Sequence, residues 1–325
     1  MLVERHRARR DFLKSMLLVH DISQVPEHQT QGGTPSHVRI HARALRHQLS
    51  GYILNYSYHL LLLCLLSAVQ LVAAQTPTES YKPVPGQPGK DVVWIPTPEA
   101  TLDKMLDLAK LTPDDFVIDL GSGDGRMVIA AAKRGARAHG VEFNPDLVAL
   151  SERAAVAAGV ADKATFSHGD MFAADISNAT VMPLFLLPAH LSTLAVKFLR
   201  LKPGARIVSN TYEIGGGWEP DETVRTMPCL SWCIAHLYVV PAQVAGAWQM
   251  AEGEWLMLEQ HYQKIYGTYQ IDNVAVPIAN GRLRGDEITF TVNAVVYSGR
   301  INDLGMRGEA TGRTTQAWRA VRVSE

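Results

Sequence analysis

Three glycines and three acidic residues are the groups of this 325-residue chain best spaced for chemistry. The apolar run Val117-Ile118-Asp119-Leu120 carries an acid near its end, and Gly121, Gly123 and Gly125 follow at alternate positions, with Ser122 and Asp124 between them. This is the form of a strand that stops, turns tightly and opens a helix. Glycine tolerates positive φ in such a turn and lets a ligand approach the backbone. The first turn of the next helix is expected to offer free N–H groups to a negative group. Glu142 stands 23 residues after Asp119, and Asp170 follows in His168-Gly169-Asp170-Met171. One such acid alone reads as a solvated surface charge. Three in register after three successive strands read as acceptors for a polar ligand, in the crevice at the carboxyl ends of the strands. A dinucleotide site would take its last glycine from G-x-G-x-x-G, and Arg126 holds that position. That spacing disfavours a nicotinamide oxidoreductase.

The elements that must position these groups alternate. Strands are expected at Asp115–Leu120, Ala138–Phe143, Ala164–Ser167, Thr180–Leu187 and Ala205–Asn210. Helices are expected at Arg126–Arg134, Pro145–Ala158 and Ala189–Leu201. Repeated βα units imply a parallel sheet covered by helices on both faces, and the nearly continuous apolar run at Thr180–Leu187 suits a central strand. Ahead of them Thr97 can cap a helix with Pro98 at its first position and Glu99 in its first turn, with Leu102, Met105, Leu106 and Ala109 on its apolar face. Thr223–Thr226 and Ile234–Val240 are expected as the last, partly antiparallel strands. The fold class is therefore α/β, Rossmann-like.

After Pro241 the pattern changes. Ile288, Phe290 and Val292 alternate with Thr289, Thr291 and Asn293, the period of a half-buried strand. Glycines space the turns, and 242–325 reads as a small antiparallel β-meander or barrel of about eight short strands, with Trp248, Trp255 and Trp318 in its core. Its Gly–Trp openings resemble lipocalin-like modules.

The D-x-G-x-G-x-G form at Asp119–Gly125 resembles motif I of class I S-adenosyl-L-methionine (SAM) methyltransferases. Over about 92–241 the likeness is closest to the group that includes the lysine methyltransferases of the ATP synthase c-subunit and of the adenine nucleotide carrier. It rests on Pro96-Thr97-Pro98, Asp119–Arg126 and Val141-Glu142-Phe143-Asn144-Pro145, supported by Leu186-Leu187-Pro188, Gly204–Ser209 and Gly217-Trp218-Glu219-Pro220. The resemblance implies SAM as cofactor, held by Thr97, Asp119, Gly121, Ser122, Gly123, Gly125, Glu142, Asn144, Asp170 and Leu187. Asp119 would accept from the ammonium group, Glu142 from the ribose hydroxyls and Asp170 from the adenine amine. The implied acceptor is an amine, a protein lysine or a small molecule. Trp94 and Tyr212 are expected to line the acceptor pocket, since aromatic faces suit an alkylated ammonium. An amine needs only to lose a proton, so no dedicated base is required; His190 is the candidate if one exists. The exit Leu187-Pro188-Ala189-His190 lacks the Asn/Asp-Pro-Pro-Tyr signature of enzymes that methylate DNA bases or glutamine amides.

Composition agrees. With 31 basic and 32 acidic residues the net charge is −1, so no global basic field favours nucleic acid. Three cysteines are too few for a disulfide scaffold. Cys229 and Cys233 on a strand would sit roughly 13 Å apart, too far to bridge, and two cysteines alone make a poor zinc site. Both are expected in the core, and no metal is expected.

The amino-terminal part differs. Residues 1–50 read as a poorly structured extension. Arg43 and Arg46 precede the segment 51–75, whose apolar run at 60–74 leads into Val72-Ala73-Ala74-Gln75, a pattern resembling a secretory signal or membrane anchor. Residues 76–91 read as a linker. Export or membrane association through 60–74 is the expectation, with a cytoplasmic location the alternative. An exported chain would meet little SAM, so a second reading is a retained scaffold whose β-meander binds an apolar ligand or partner.

Overall fold

The alternating apolar runs pair into a seven-stranded mixed sheet. The computed structural model describes residues 81–323; the extension at 1–50 and the apolar run at 60–74 lie outside them. The strands are β1 (Phe116–Leu120), β2 (Arg137–Glu142), β3 (Ala164–His168), β4 (Val181–Leu184), β5 (Arg206–Asn210), β6 (Glu222–Arg225) and β7 (Ile234–Val239), in the order β3-β2-β1-β4-β5-β7-β6. Pairings among β1 to β5 are parallel, and β7 runs antiparallel to β5 and β6.

Among the described residues four helices flank the sheet: α1 (Glu99–Leu108), α2 (Arg126–Lys133), α3 (Pro145–Ala157) and α4 (Pro188–Phe198). Leu102, Met105 and Leu106 of α1, Val128 and Ala131 of α2 and Ala155 of α3 pack with Val117, Ala138 and Val208 on one face. Leu191, Leu194 and Phe198 of α4 pack with Ile118, Met182 and Ile207 on the other. Each large apolar side chain buried this way stabilises the fold by about 1.5–3 kcal/mol. Both faces are thus covered, as a parallel sheet requires.

Two local expectations are corrected. Thr97 does not cap α1: Pro98 occupies the cap position and no side chain accepts there. Strand β4 ends at Leu184 instead of running to Leu187, because the chain leaves the sheet at Phe185 and spends the remaining apolar residues on the walls of a cavity.

The cysteine expectation is overturned. Cys229 and Cys233 lie in the connection between β6 and β7 and form a disulfide, with their Cα atoms 5.8 Å apart. The spacing argument assumed extended chain. Here the segment turns back, with Trp232 at φ 58°, and that turn brings the two cysteines within bridging distance.

The remaining strands are β8 (Gly246–Ala251), β9 (Glu254–His261), β10 (Lys264–Ile271), β11 (Val274–Pro277), β12 (Ala279–Arg284), β13 (Glu287–Val292), β14 (Val295–Asn302), β15 (Gly305–Thr311) and β16 (Thr315–Arg322). All pairings are antiparallel, in the order β11-β10-β12-β13-β14-β15-β16-β8-β9, and β9 pairs back to β10. The ring of eight strands therefore closes, with β11 attached to β10 alone as an extra strand, and closure pairs both sides of each ring strand. Ile288, Phe290 and Val292 fill the interior with Trp248 and Trp318. Trp255 is only half-buried, beside the buried Leu256; alternation along β9 turns it to the outer face.

Barrel and sheet share a seam. The rings of Trp218 and Tyr262 stack with centroids 5.5 Å apart. Lys264 pairs with Glu219 at 2.6 Å and Arg282 with Asp221 at 2.9 Å. Asp221 also accepts from the Val239 N–H at 2.8 Å. A Cβ on Gly216 would come 2.7 Å from the Tyr262 hydroxyl, and one on Gly217 would come 3.0 Å from the His261 ring. Among the described residues no helix is long and apolar enough to cross a membrane.

Candidate active site

The carboxyl ends of β1, β2 and β4 open into one cavity. Asp119 lies at its floor, with Gly121, Ser122 and Gly123 on the turn that follows. Glu142 and Asn144 enter from the end of β2, and Asp170 from the segment after β3. Thr97, Trp94, Leu187 and Tyr212 complete the set of expected residues that line it.

The glycine turn is more self-contained than its sequence suggests. The N–H groups of Gly121 and Ser122 both donate to the Val141 carbonyl. The Gly123 N–H donates to Glu142 Oε2 at 2.9 Å, and Glu142 Oε1 accepts from the Asn144 N–H at 2.9 Å. The Gly125 N–H donates to the Ser122 carbonyl, and Asp124 holds the Arg126 side chain at 2.6 Å. The turn's own N–H groups at Gly121, Ser122, Gly123 and Gly125 are thus engaged within the chain, and carboxylates line the cavity beside them. Asp119 is 7% exposed. Burial first, and then repulsion from the Glu142 and Asp124 carboxylates, push its carboxyl well above the usual range. Such a floor suits a positively charged ligand.

Gly123 makes close approach possible. Its φ is 57°, and a Cβ there would come 2.6 Å from Trp94 Nε1. Gly125, expected in the same role, does not line the cavity. A Cβ on it would strike the Ser151 hydroxyl at 2.7 Å and the Phe166 ring at 2.8 Å, so this glycine serves helix–sheet packing. His190 is also outside the cavity. Its Nδ1 is buried without a partner, and its ring stands edge-on to Phe172 at 5.7 Å; the geometry withdraws it as the base.

Asn144 caps α3, its side chain accepting from the Asp146 N–H at 2.9 Å. Thr97 presents its carbonyl to Arg126 Nη1 at 3.0 Å. Asp170 accepts from the Phe172 N–H at 2.8 Å and pairs with Lys90 at 2.6 Å. The Lys90 hydrogen bond holds its carboxyl below the ordinary value. Lys90 also lies 4.8 Å over the Phe143 ring. Residues 87–91, expected within a linker, therefore form part of the cavity wall.

Phe185 and Trp232 line the same cavity, and sequence reasoning misses both. Phe185 is hidden in an apolar run that reads as strand. Trp232 sits between two cysteines in a segment with no periodicity, and only the fold brings it to the site.

This sheet order, the glycine turn after β1 and the acidic cavity at the strand ends define a class I SAM-dependent methyltransferase. The donor set fits that cofactor: the buried Asp119 carboxyl, without a basic partner among the described residues, meets its cationic character, and Glu142 and Asp170 line the same cavity as further acceptors. The chain belongs to the ANTKMT methyltransferase family, whose domain matches residues 119–222. It is 40% identical over 152 residues to a protein-lysine N-methyltransferase of Saccharolobus islandicus, an alignment covering 46% of this chain and 94% of that protein. It is 39% identical over 108 residues to the ATP synthase C-subunit lysine N-methyltransferase of Mus musculus, covering 33% of this chain and 43% of the mouse protein. The chain thus spans less than half the length of that mouse relative. Among solved structures, an RNA methyltransferase from Salinibacter ruber in complex with S-adenosyl-L-homocysteine matches with 42% identity and a TM-score of 0.43, over 46% of this chain and 96% of that one.

Proposed function

We propose that this methyltransferase transfers the methyl group of SAM to the side-chain amine of a protein lysine. The observation that carries the reading is the make-up of the cavity: carboxylates at the glycine turn and the aromatic rings of Trp94, Phe185, Tyr212 and Trp232 around the same space. The names of the archaeal and mouse relatives, both lysine methyltransferases, support it.

SAM, when bound, supplies a methyl group activated by its sulfonium. The residues of the chain bind, orient and exclude water. Asp119 holds the ammonium group, directly or through water. Glu142 offers its remaining lone pairs to the ribose hydroxyls while its hydrogen bonds to Gly123 and Asn144 fix its rotamer. Asp170 takes the adenine amine beside its Lys90 pair. The aromatic rings desolvate the incoming amine and align it, which is where rate is gained when the cofactor already carries the reactive group. The amine gives its proton to solvent, since the one histidine at the exit of β4 does not reach the cavity.

Incubating the purified full chain with isotopically labelled SAM and lysine-containing peptides, alongside small primary amines, tests the reading. Label on the lysine side chain, located by mass spectrometry, is the expected result. Transfer confined to small amines would replace lysine with a small-molecule acceptor, and calorimetry showing no SAM binding by folded protein would remove the activity altogether.

A further inference from the structure

We infer that Phe185, Tyr212 and Trp232 form a cation-selective subsite that receives the acceptor's ammonium head, with Trp232 its specificity-determining wall. This rests on the amine-acceptor reading and goes further by naming the residues that recognise charge.

The three rings come from separate elements: Phe185 follows β4, Tyr212 follows β5, and Trp232 precedes β7. The Phe185 and Trp232 centroids are 5.3 Å apart at 57°, and those of Tyr212 and Trp232 are 6.4 Å apart at 54°. The rings are tilted, not stacked, so their faces are not used up on one another. All three are half-buried and line the cavity, unlike Trp218 and Phe290, each 1% exposed and closed into cores. An aromatic face attracts a cation within about 6 Å of its centroid, and more strongly when water is excluded.

Charge around the cavity points the same way. Its two cations are already engaged, Lys90 with Asp170 and Arg126 with Asp124. Asp119 and Glu142 are left without a basic partner among the described residues. Carboxyl groups thus outnumber cations on the lining, which favours a cation over an anion. Trp232 is held by the disulfide that closes on either side of it, so the third wall is anchored independently of the sheet.

Choline and its uncharged isostere 3,3-dimethylbutan-1-ol probe this subsite, titrated by ligand-observed NMR into the full chain saturated with S-adenosylhomocysteine. Choline should bind at least about tenfold more tightly than the alcohol. Trp232→Ala should weaken choline at least about fivefold and Trp232→Phe should largely restore it, with S-adenosylhomocysteine affinity unchanged in both. Should the alanine variant not fold, Phe185→Leu carries the same expectation. Equal binding of the two probes, or choline binding untouched by these substitutions, overturns the subsite. Lysine-peptide methylation is measured on the same preparations. Its absence beside charge-selective choline binding removes lysine as acceptor and supports the subsite; methylation with an unchanged peptide KM in Trp232→Ala overturns the subsite and keeps lysine.

Discussion

The Glu142 carboxylate accepts from the Gly123 N–H at 2.9 Å, tying the end of β2 to the turn after β1. Its other oxygen takes the Asn144 N–H at the head of α3. One side chain therefore sets the spacing of two strand ends that border the cavity. Glu142→Ala should lower SAM affinity tenfold or more, the loss expected when a hydrogen-bonding carboxylate worth about 1.5–3 kcal/mol is removed. Glu142→Gln, which keeps one acceptor oxygen, should lose less. Calorimetry finding native affinity in folded Glu142→Ala would remove this residue from the site.

If Asp119 meets the ammonium group as proposed, SAM binding should be pH-dependent. In the free protein its carboxyl is raised by burial and by two neighbouring carboxylates, so it holds a proton at pH values where an unfolded aspartate has lost it. A cationic ligand favours the ionised form and drives that proton off, so affinity should climb as pH rises through the free-state pKa. Stability runs the other way. An acid raised on folding is penalised above its unfolded pKa of about 3.9, so the ligand-free protein loses stability as pH rises from there to the folded pKa. Asp119→Asn should flatten both profiles, read by calorimetry and thermal melts. A SAM affinity that falls with pH in the wild type would contradict the assignment.

Gly123 is intolerant for two reasons at once, a φ of 57° and a Trp94 nitrogen 2.6 Å from where a Cβ would stand. Gly159, at φ 69°, has nothing within 4 Å of its virtual Cβ. Gly159→Ala should cost only the left-handed backbone penalty of about 1–2 kcal/mol. Gly123→Ala should cost more and also weaken SAM binding by displacing Trp94. Equal melting-point losses, with SAM affinity intact in both, would show that Trp94 yields freely.

The bridge at Cys229–Cys233 should give the proposed acceptor subsite a thiol dependence that SAM binding does not share. A dithiol reductant transfers two electrons to the bridge, yielding two cysteine thiols and its own disulfide. Freed of the clip, Trp232 should wander from Phe185 and Tyr212. The expected signature is a peptide KM raised severalfold with SAM affinity unchanged, reproduced by Cys229→Ser with Cys233→Ser. A parallel loss of SAM binding would mean that the loop supports the whole cavity.

Asp221 fastens the barrel to the sheet, its side chain 1% exposed while it holds Arg282 and the Val239 N–H. Asp221→Ala leaves that N–H without its partner and should cost about 1–3 kcal/mol. A melting point lowered by several degrees, or a transition split in two, is the expected reading. An unchanged melt would show that the Trp218–Tyr262 stack suffices.

The sheet is legible in the sequence because its signals are local. Apolar faces at helical spacing in Leu102–Ala109, prolines at helix starts and the alternation at Ile288–Val292 each act within a few residues. The acids Asp119, Glu142 and Asp170 are legible because parallel strands end on one side. Pairings made by distant turns are not. The Cys229–Cys233 bridge depends on a reversal that neighbouring residues do not announce. Phe185 looks like strand because wall and strand are both apolar. Gly125 and His190 match a motif and a chemistry, but their neighbours Ser151, Phe166 and Phe172 assign them to packing. The motif does not announce where the turn's own N–H groups go, and the register of β2 beside β1 hands them to Val141 and Glu142.

The turn at His261 and Tyr262 presses on Gly216 and Gly217, a few residues along the chain from Tyr212. The barrel thus meets the sheet at this loop, and among the described residues none of its own lines the cavity. The barrel is therefore a separable inheritance in this chain: its strands can diverge without changing any side chain that lines the cavity.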